Sequence, residues 1–101
     1  MDGVAKLIKE TYTQDELGQM IPTETGTEVY VEIGSITRSE WAAASRDGLN
    51  PAIVLSTQRV NYSGERIVEI DGVRYGIYRT YAPPDSDYIE LYLEEKAGVT
   101  R

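Results

Sequence analysis

The sequence predicts a mainly β fold: a small antiparallel β-barrel or sandwich of about six strands, with one short helix and a long N-terminal loop. Segments rich in Val, Ile and Tyr alternate apolar and polar residues at the period of a β-strand, and turn residues separate them. One segment alone has helix signals, which favours hairpin connections over a βαβ arrangement. A chain of 101 residues has the size of one domain, so we expect residues 1–101 to form a single β domain.

The N-terminal part predicts two strands with a long connection between them. Residues 6–13 alternate loosely, which is typical of an opening strand. Residues 14–27 contain two glycines and a proline among polar residues, which predicts a loop rather than a regular element. Residues 28–36 then alternate strictly and predict a second strand.

One helix follows, over residues 38–46. Thr37 precedes Glu40 by three residues, the spacing of a capping box in which each residue bonds the other's backbone N–H. Gly48 stands where the left-handed residue after a helix is expected.

The remaining sequence predicts strands over residues 52–60, 65–70, 73–81 and 88–96. Asp71-Gly72 favours a two-residue type I′ turn between the second and third of these. The residues after the last strand, 97–101, are expected to be loose.

Composition excludes several function classes. Seventeen acidic residues against ten basic ones give a net charge of −7, which repels phosphate backbones and anionic lipid surfaces. An acidic wall around a DNA channel and ordinary solubility both agree with this charge. The chain has no cysteine and no histidine, so it lacks thiolate chemistry, the usual neutral-pH acid or base and the commonest metal ligand. We therefore expect no enzyme activity and no cofactor.

The acidic pairs do not alter that expectation. Glu94 and Glu95 are neighbours along a predicted strand and point to opposite faces, so they do not share a site. Asp85-Ser86-Asp87 lacks the later glycine and glutamate of a calcium loop. We assign no catalytic residue and no metal ligand. No apolar run is long enough to cross a membrane, and residues 1–10 do not resemble a secretion signal.

Aromatic residues are the candidate interface residues. Trp41, on the short helix, is either an anchor for a neighbouring subunit or a cap on its own core. Tyr78, Tyr81 and Tyr92 belong to a tyrosine series interleaved with arginines, a pattern that also occurs where bases stack in single-strand-binding barrels. The acidic balance favours a protein partner over nucleic acid for these rings.

Three stretches resemble the head closure or head-tail joining (adaptor) proteins of tailed bacteriophages and prophages: KLIKETYTQDELGQ, VYVEIGSITRSEWAAASRDGL, and the C-terminal part from NYSGERIVEIDGVRYGIYRTY to DSDYIELYLEEKAGV. The resemblance implies a structural virion protein with a β-barrel core, located at the virion head-tail junction and in the bacterial host cytoplasm during assembly. Its copies would form a ring, a hexamer or dodecamer, between the portal or adaptor and the tail proteins. Packaged DNA would pass through the channel without sequence specificity, and no membrane is involved.

The resemblance also implies a long segment that projects into the channel and retains DNA. Two segments have a sequence position that fits this projecting segment: residues 14–27 and the helix-bearing insertion, residues 37–51. A small acidic β-barrel that binds a protein or single-stranded nucleic acid is the alternative function, and a carboxylate-based hydrolase ranks third.

Overall fold

The structure, a computed structural model, describes residues 2–95. Its elements, in chain order, are β1 (Asp2–Gln14), β2 (Met20–Ser35), α1 (Arg38–Arg46), β3 (Pro51–Gln58), a 3-10 turn (Arg59–Asn61), β4 (Ile67–Ile70), β5 (Val73–Tyr81) and β6 (Tyr88–Glu95). The six strands form a closed antiparallel barrel in the order β1-β2-β3-β6-β5-β4, and β4 pairs back onto β1. The predicted small β-barrel with one short helix is confirmed.

The barrel interior is filled by apolar side chains from alternate positions of the strands. The residues that form this core are Ala5, Leu7, Val29, Val31, Leu55, Val68, Leu91 and Leu93. Thr57 is a buried polar residue, and its hydroxyl donates to the carbonyl oxygen of Tyr30 (2.9 Å) while accepting a bond from Asn61 Nδ2 (3.1 Å). Because this hydroxyl both donates and accepts a hydrogen bond, its burial carries little desolvation cost.

Local signals located the helix and one hairpin correctly. The helix spans Arg38–Arg46 as predicted, and it ends in a Schellman motif: the N–H of Leu49 bonds the carbonyl of Ala44, and Gly48 has a φ of +81°. Both residues of the Asp71-Gly72 turn have positive φ, as a type I′ turn requires.

Other strand bounds differ from the prediction. The strand expected over residues 52–60 ends at Gln58, because the chain turns into the 3-10 helix, and the strand expected from residue 65 begins at Ile67. Lys96 and the tail 97–101 lie outside the described residues.

The prediction of a loop over residues 14–27 is wrong. β1 continues to Gln14 and β2 starts at Met20, so that only a five-residue turn separates them. Asp15 organises this turn, since its Oδ1 accepts bonds from the N–H groups of Leu17 (2.9 Å) and Gln19 (2.8 Å). Gly18 adopts a φ of +82°. The sequence signals for this turn are Asp15 at the first position and Gly18 at the fourth position of a type I turn.

A proline within β2 is compatible with this pairing. Pro22 lies opposite Tyr12. Opposite residues in an antiparallel pair alternate between bonded and non-bonded pairs. Asp15 and Gln19 are bonded, so Tyr12 and Pro22, three pairs further along, are not hydrogen-bonded to each other. The missing N–H of Pro22 therefore points away from β1, and no hydrogen bond of the hairpin is lost.

The outer half of this hairpin extends beyond the barrel. β1 pairs with β4 only over Lys6–Ile8, and β2 pairs with β3 only from Glu32 onward. We call residues 9–25, which have neither of these neighbours, the arm. It contributes to an elongated molecule of 50 × 31 × 25 Å.

The closed core makes a first prediction. Leu55 is fully buried at the centre of the barrel, so Leu55→Ala leaves a cavity and should lower the free energy of unfolding by about 2–5 kcal/mol. Urea unfolding followed by circular dichroism measures this loss. Val60→Ala is the control, because Val60 is 88% exposed. A loss below about 1 kcal/mol for Leu55→Ala would contradict the described packing.

Candidate functional site

Three of the four predicted interface residues lie on the outside of β5 and β6. The register between these strands shifts between Ile77 and Arg79, which marks a β-bulge at Tyr78. The bulge turns Tyr78 outward next to Arg79. Tyr92, paired with Arg79, also points outward, and the rings of Tyr78 and Tyr92 meet edge to face with centroids 6.2 Å apart.

The helix α1 is joined to this face through Glu40. The Tyr78 hydroxyl donates to Glu40 Oε2 at 2.7 Å, and Arg79 donates from Nε to Oε2 (3.1 Å) and from Nη2 to Oε1 (2.6 Å). The Arg79 guanidinium lies 3.8 Å from the centre of the Tyr92 ring, so it forms an ion pair and a cation–π contact at once.

The capping box is therefore only half formed. Thr37 Oγ1 accepts the N–H of Glu40 at 3.2 Å, as predicted. The Glu40 carboxylate does not return the bond, because it is held by Tyr78 and Arg79, charge-assisted partners that lie almost forty residues away in the sequence. Tertiary contacts have replaced the local bond.

This network shifts the pKa of its members in opposite directions. The hydrogen bond from Arg79, followed by that from Tyr78, lowers the pKa of the Glu40 carboxyl. Burial, followed by the bond to Glu40, raises the pKa of the Tyr78 hydroxyl. Burial and a 2.7 Å bond to Glu90 Oε1 likewise raise the pKa of Tyr92. Near neutral pH the network holds a carboxylate, a guanidinium and two neutral phenols.

The other two candidates are more open to solvent. Trp41 follows Glu40 on α1 and is 53% exposed, so it is not a buried cap on its own core. Tyr81 is 48% exposed near the end of β5, where β5 pairs with β6 but no longer with β4. Tyr92 lies in β6, which has strand partners on both sides. The structure thus brings Tyr78 and Tyr92 together beside Glu40 and leaves Trp41 and Tyr81 available on the surface.

The arm is a second candidate contact surface, and the sequence prediction missed it. Its large apolar side chains are exposed: Tyr12, Leu17, Met20 and Ile21, with Leu17 at the tip. Its charged residues are one lysine and four carboxylates, so the arm is acidic. Exposed apolar groups on an acidic ribbon favour contact with protein rather than with DNA phosphates.

The base of the arm is braced against the barrel. Arg74 on β5 binds Glu24 through two parallel bonds of 2.8 and 3.0 Å, and it reaches Glu69 Oε1 at 3.3 Å. The hydrogen bond from Arg74 lowers the pKa of Glu24. This bidentate contact fixes the direction in which the arm leaves the barrel.

Neither a metal centre nor a membrane-spanning helix is present in the described part of the chain. Residues 2–95 contain no group of three or more acidic side chains arranged to hold a metal ion. Over the same residues, no helix has the length and apolar character needed to cross a bilayer.

No family model, no curated protein and no solved structure matches this chain.

The Glu40 network makes a pH-dependent prediction. Because folding lowers the pKa of Glu40, its contribution to stability is complete above the pKa of the unfolded chain and is lost as the pH falls through the folded pKa. Glu40→Gln should therefore destabilise the protein by about 1 kcal/mol at pH 7, and the difference from wild type should vanish in acid.

Urea unfolding of both proteins from pH 7 to pH 2.5 measures that difference. Glu16→Gln, on the exposed turn of the arm, is the matched control and should leave the free energy of unfolding unchanged within about 0.5 kcal/mol. A difference that persists at the lowest pH would show that the charge of Glu40 does not stabilise the fold.

Proposed function

We propose that this protein is a structural component of the head-tail junction of a tailed bacteriophage or prophage. In this role its copies assemble as a ring that joins the portal or adaptor to the tail and helps to close the DNA channel. The observation that carries the proposal is a small closed barrel with a long projecting arm. A connector needs a rigid body and a segment that reaches a neighbour, and this architecture supplies both.

Residues 14–27 and residues 37–51 were both candidates for the projecting segment. The arm, which includes most of the first, is the better candidate. The insertion at residues 37–51 contains α1, which Glu40 ties to Tyr78 and Arg79 on the barrel wall. The arm has no strand neighbour beyond Ile8, and its apolar side chains are exposed. An element held against the body is a poor bridge, whereas a projecting ribbon reaches another subunit.

The charge of the molecule supports a channel position without DNA recognition. The net charge of −7 repels the phosphate backbone, so packaged DNA meets an acidic surface along which it moves without sequence-specific binding. The same charge disfavours the alternative of a single-strand-binding barrel.

A shortened arm tests this function. Replacing residues 10–24 by Asn-Gly joins Lys9 to Thr25 through a two-residue hairpin turn and leaves every core residue in place. We expect this variant to unfold cooperatively like the wild type but to lose co-purification with the portal, adaptor and tail proteins encoded beside it. A triple variant with the full arm, Leu17→Ser, Met20→Thr and Ile21→Thr, separates loss of apolar contact from loss of length.

The outcomes distinguish the candidate functions. Capture of the full-length chain by portal, adaptor or tail proteins, lost in the shortened variant, supports the joining role. No capture, together with a gene neighbourhood that lacks portal, capsid and tail genes, overturns it. Salt-dependent retention of single-stranded DNA would instead indicate the nucleic-acid-binding alternative.

Trp41 makes a separate prediction for the ring. An exposed tryptophan is a typical interface anchor, so Trp41→Ala should weaken assembly by at least about tenfold in the concentration needed for half-assembly, with little effect on the fold. Native mass spectrometry or light scattering with the partner proteins measures this. Val60→Ala shortens another exposed apolar side chain elsewhere on the surface and serves as the control. Unchanged assembly would remove Trp41 from the interface.

A further inference from the structure

The outer edge of β2 carries a regular series of backbone N–H groups that have no strand partner within the described residues. The pairing with β1 makes alternate residues of β2 direct their N–H and carbonyl groups away from β1, and Tyr30 is one of them. The bond from Thr57 Oγ1 to the Tyr30 carbonyl confirms this direction independently. Within residues 2–95, no strand pairs with this edge before Glu32, so the N–H groups of Glu24, Gly26, Glu28 and Tyr30 have no strand partner.

The edge borders a groove that lies where β3 would continue. β3 pairs with β2 from Ser35–Ile53 to Glu32–Ser56, and the chain then turns away at Arg59. The space left beside β2 has a volume of about 680 Å³. Its lining includes residues 28–32 of β2, the end of β3, Asn61 and Tyr88. An extended segment placed here would take over the position that β3 vacates.

The charge of the groove defines its occupant. Asp2, Glu28 and Glu32 line it, and none of these carboxylates has an ion-pair partner within the described residues. Asp2 lies directly opposite Glu32 in the β1–β2 register, an unfavourable pair that a cation would relieve. Tyr30 and Tyr88 are exposed beside them and offer ring faces to lysine or arginine side chains.

The same charge argues against a second copy of this chain. Its arm, the obvious extended segment, carries four carboxylates and one lysine and would meet the acidic groove with like charge. Pro22 further limits pairing between copies. It lies between Glu24 and the tip of the arm, and as a proline it has no N–H to donate to a neighbouring strand. Pro22 therefore interrupts the series of outward N–H groups just beyond Glu24.

We propose that the edge of β2 from Glu24 to Tyr30 binds an extended, positively charged segment of another protein, which adds to the sheet as a further strand. Backbone hydrogen bonds hold the segment, and its lysine or arginine side chains contact the carboxylates and tyrosine rings of the groove. This site is distinct from the arm tip and from the face around Tyr78.

Amide hydrogen exchange tests the proposal with an internal control. The probe is an eight-residue synthetic peptide of alternating valine and lysine, added to the ¹⁵N-labelled full chain. At ten times its Kd, exchange at Glu24, Gly26, Glu28 and Tyr30 should slow about tenfold. The amides of Thr25, Thr27 and Val29 already bond to β1 and should change little. Equal protection of both sets, or of neither, overturns the proposal.

Variants separate charge from backbone pairing. The double variant Glu28→Gln and Glu32→Gln removes two exposed ion pairs with the peptide, so it should weaken peptide binding about tenfold. The control Glu16→Gln should leave peptide binding unchanged. Two further peptides carry N-methyl groups, one at all valines and the other at all lysines. Alternate residues of an extended strand direct their N–H groups to the same edge, so each peptide loses the backbone donors of one edge. The peptide that loses the donors facing β2 should bind more weakly than the parent.

Full binding by both methylated peptides would mean that charge alone attracts the probe, which overturns strand addition. Tight binding of a valine–glutamate peptide would overturn the assignment of a basic occupant. Protection of Glu24 to Tyr30 that rises with protein concentration, without peptide, would show that a second copy occupies the edge.

Discussion

The barrel closes through only three residue pairs between β1 and β4, and the rest of the structure depends on that closure. Lys6, Leu7 and Ile8 pair with residues of β4 that lie about sixty positions later in the chain. Leu7 and Val68, which face each other across this seam, are fully buried. Apolar side chains from the six strands form the core of this small barrel.

The candidate contact surfaces lie on the outside of the barrel, and the elements that carry them are attached to it in different ways. The helix α1 is held to the barrel wall by Glu40, which accepts hydrogen bonds from Tyr78 and Arg79. The arm is held to the barrel near its base, by the ion pair between Arg74 and Glu24 and by a bond from Lys9 Nζ to the carbonyl of Ser63. Both attachments are charge-assisted and partly exposed, so high salt weakens them more than it weakens the core.

The two free surfaces differ in chemistry and lie on different parts of the ribbon formed by β1 and β2. The arm tip is apolar, whereas the groove beside Tyr30 is acidic and has unpaired backbone groups. A protein that links two different partners needs separate surfaces with different binding preferences. This separation supports the proposed joining role over that of a module with a single ligand.

The sequence by itself determined the elements whose signals are local. Helix α1, the Asp71-Gly72 turn and β5 depend on residues within a few positions of one another, and their predicted bounds agree with the structure. The arm was not predicted, because the glycines and the proline of residues 14–27 also indicate a loop. Both are tolerated in a two-stranded ribbon, where half of the backbone groups need no partner strand.

Only the tertiary structure decided which distant groups meet. It directed the Glu40 carboxylate to Tyr78 and Arg79 instead of its own helix, closed β1 onto β4, and turned β3 away from β2 to open the groove. Periodicity shows which side of a strand is apolar, but strand order and register follow from competition among all pairings for one small core. Such competition involves residues far apart in the chain, and no local pattern records its outcome.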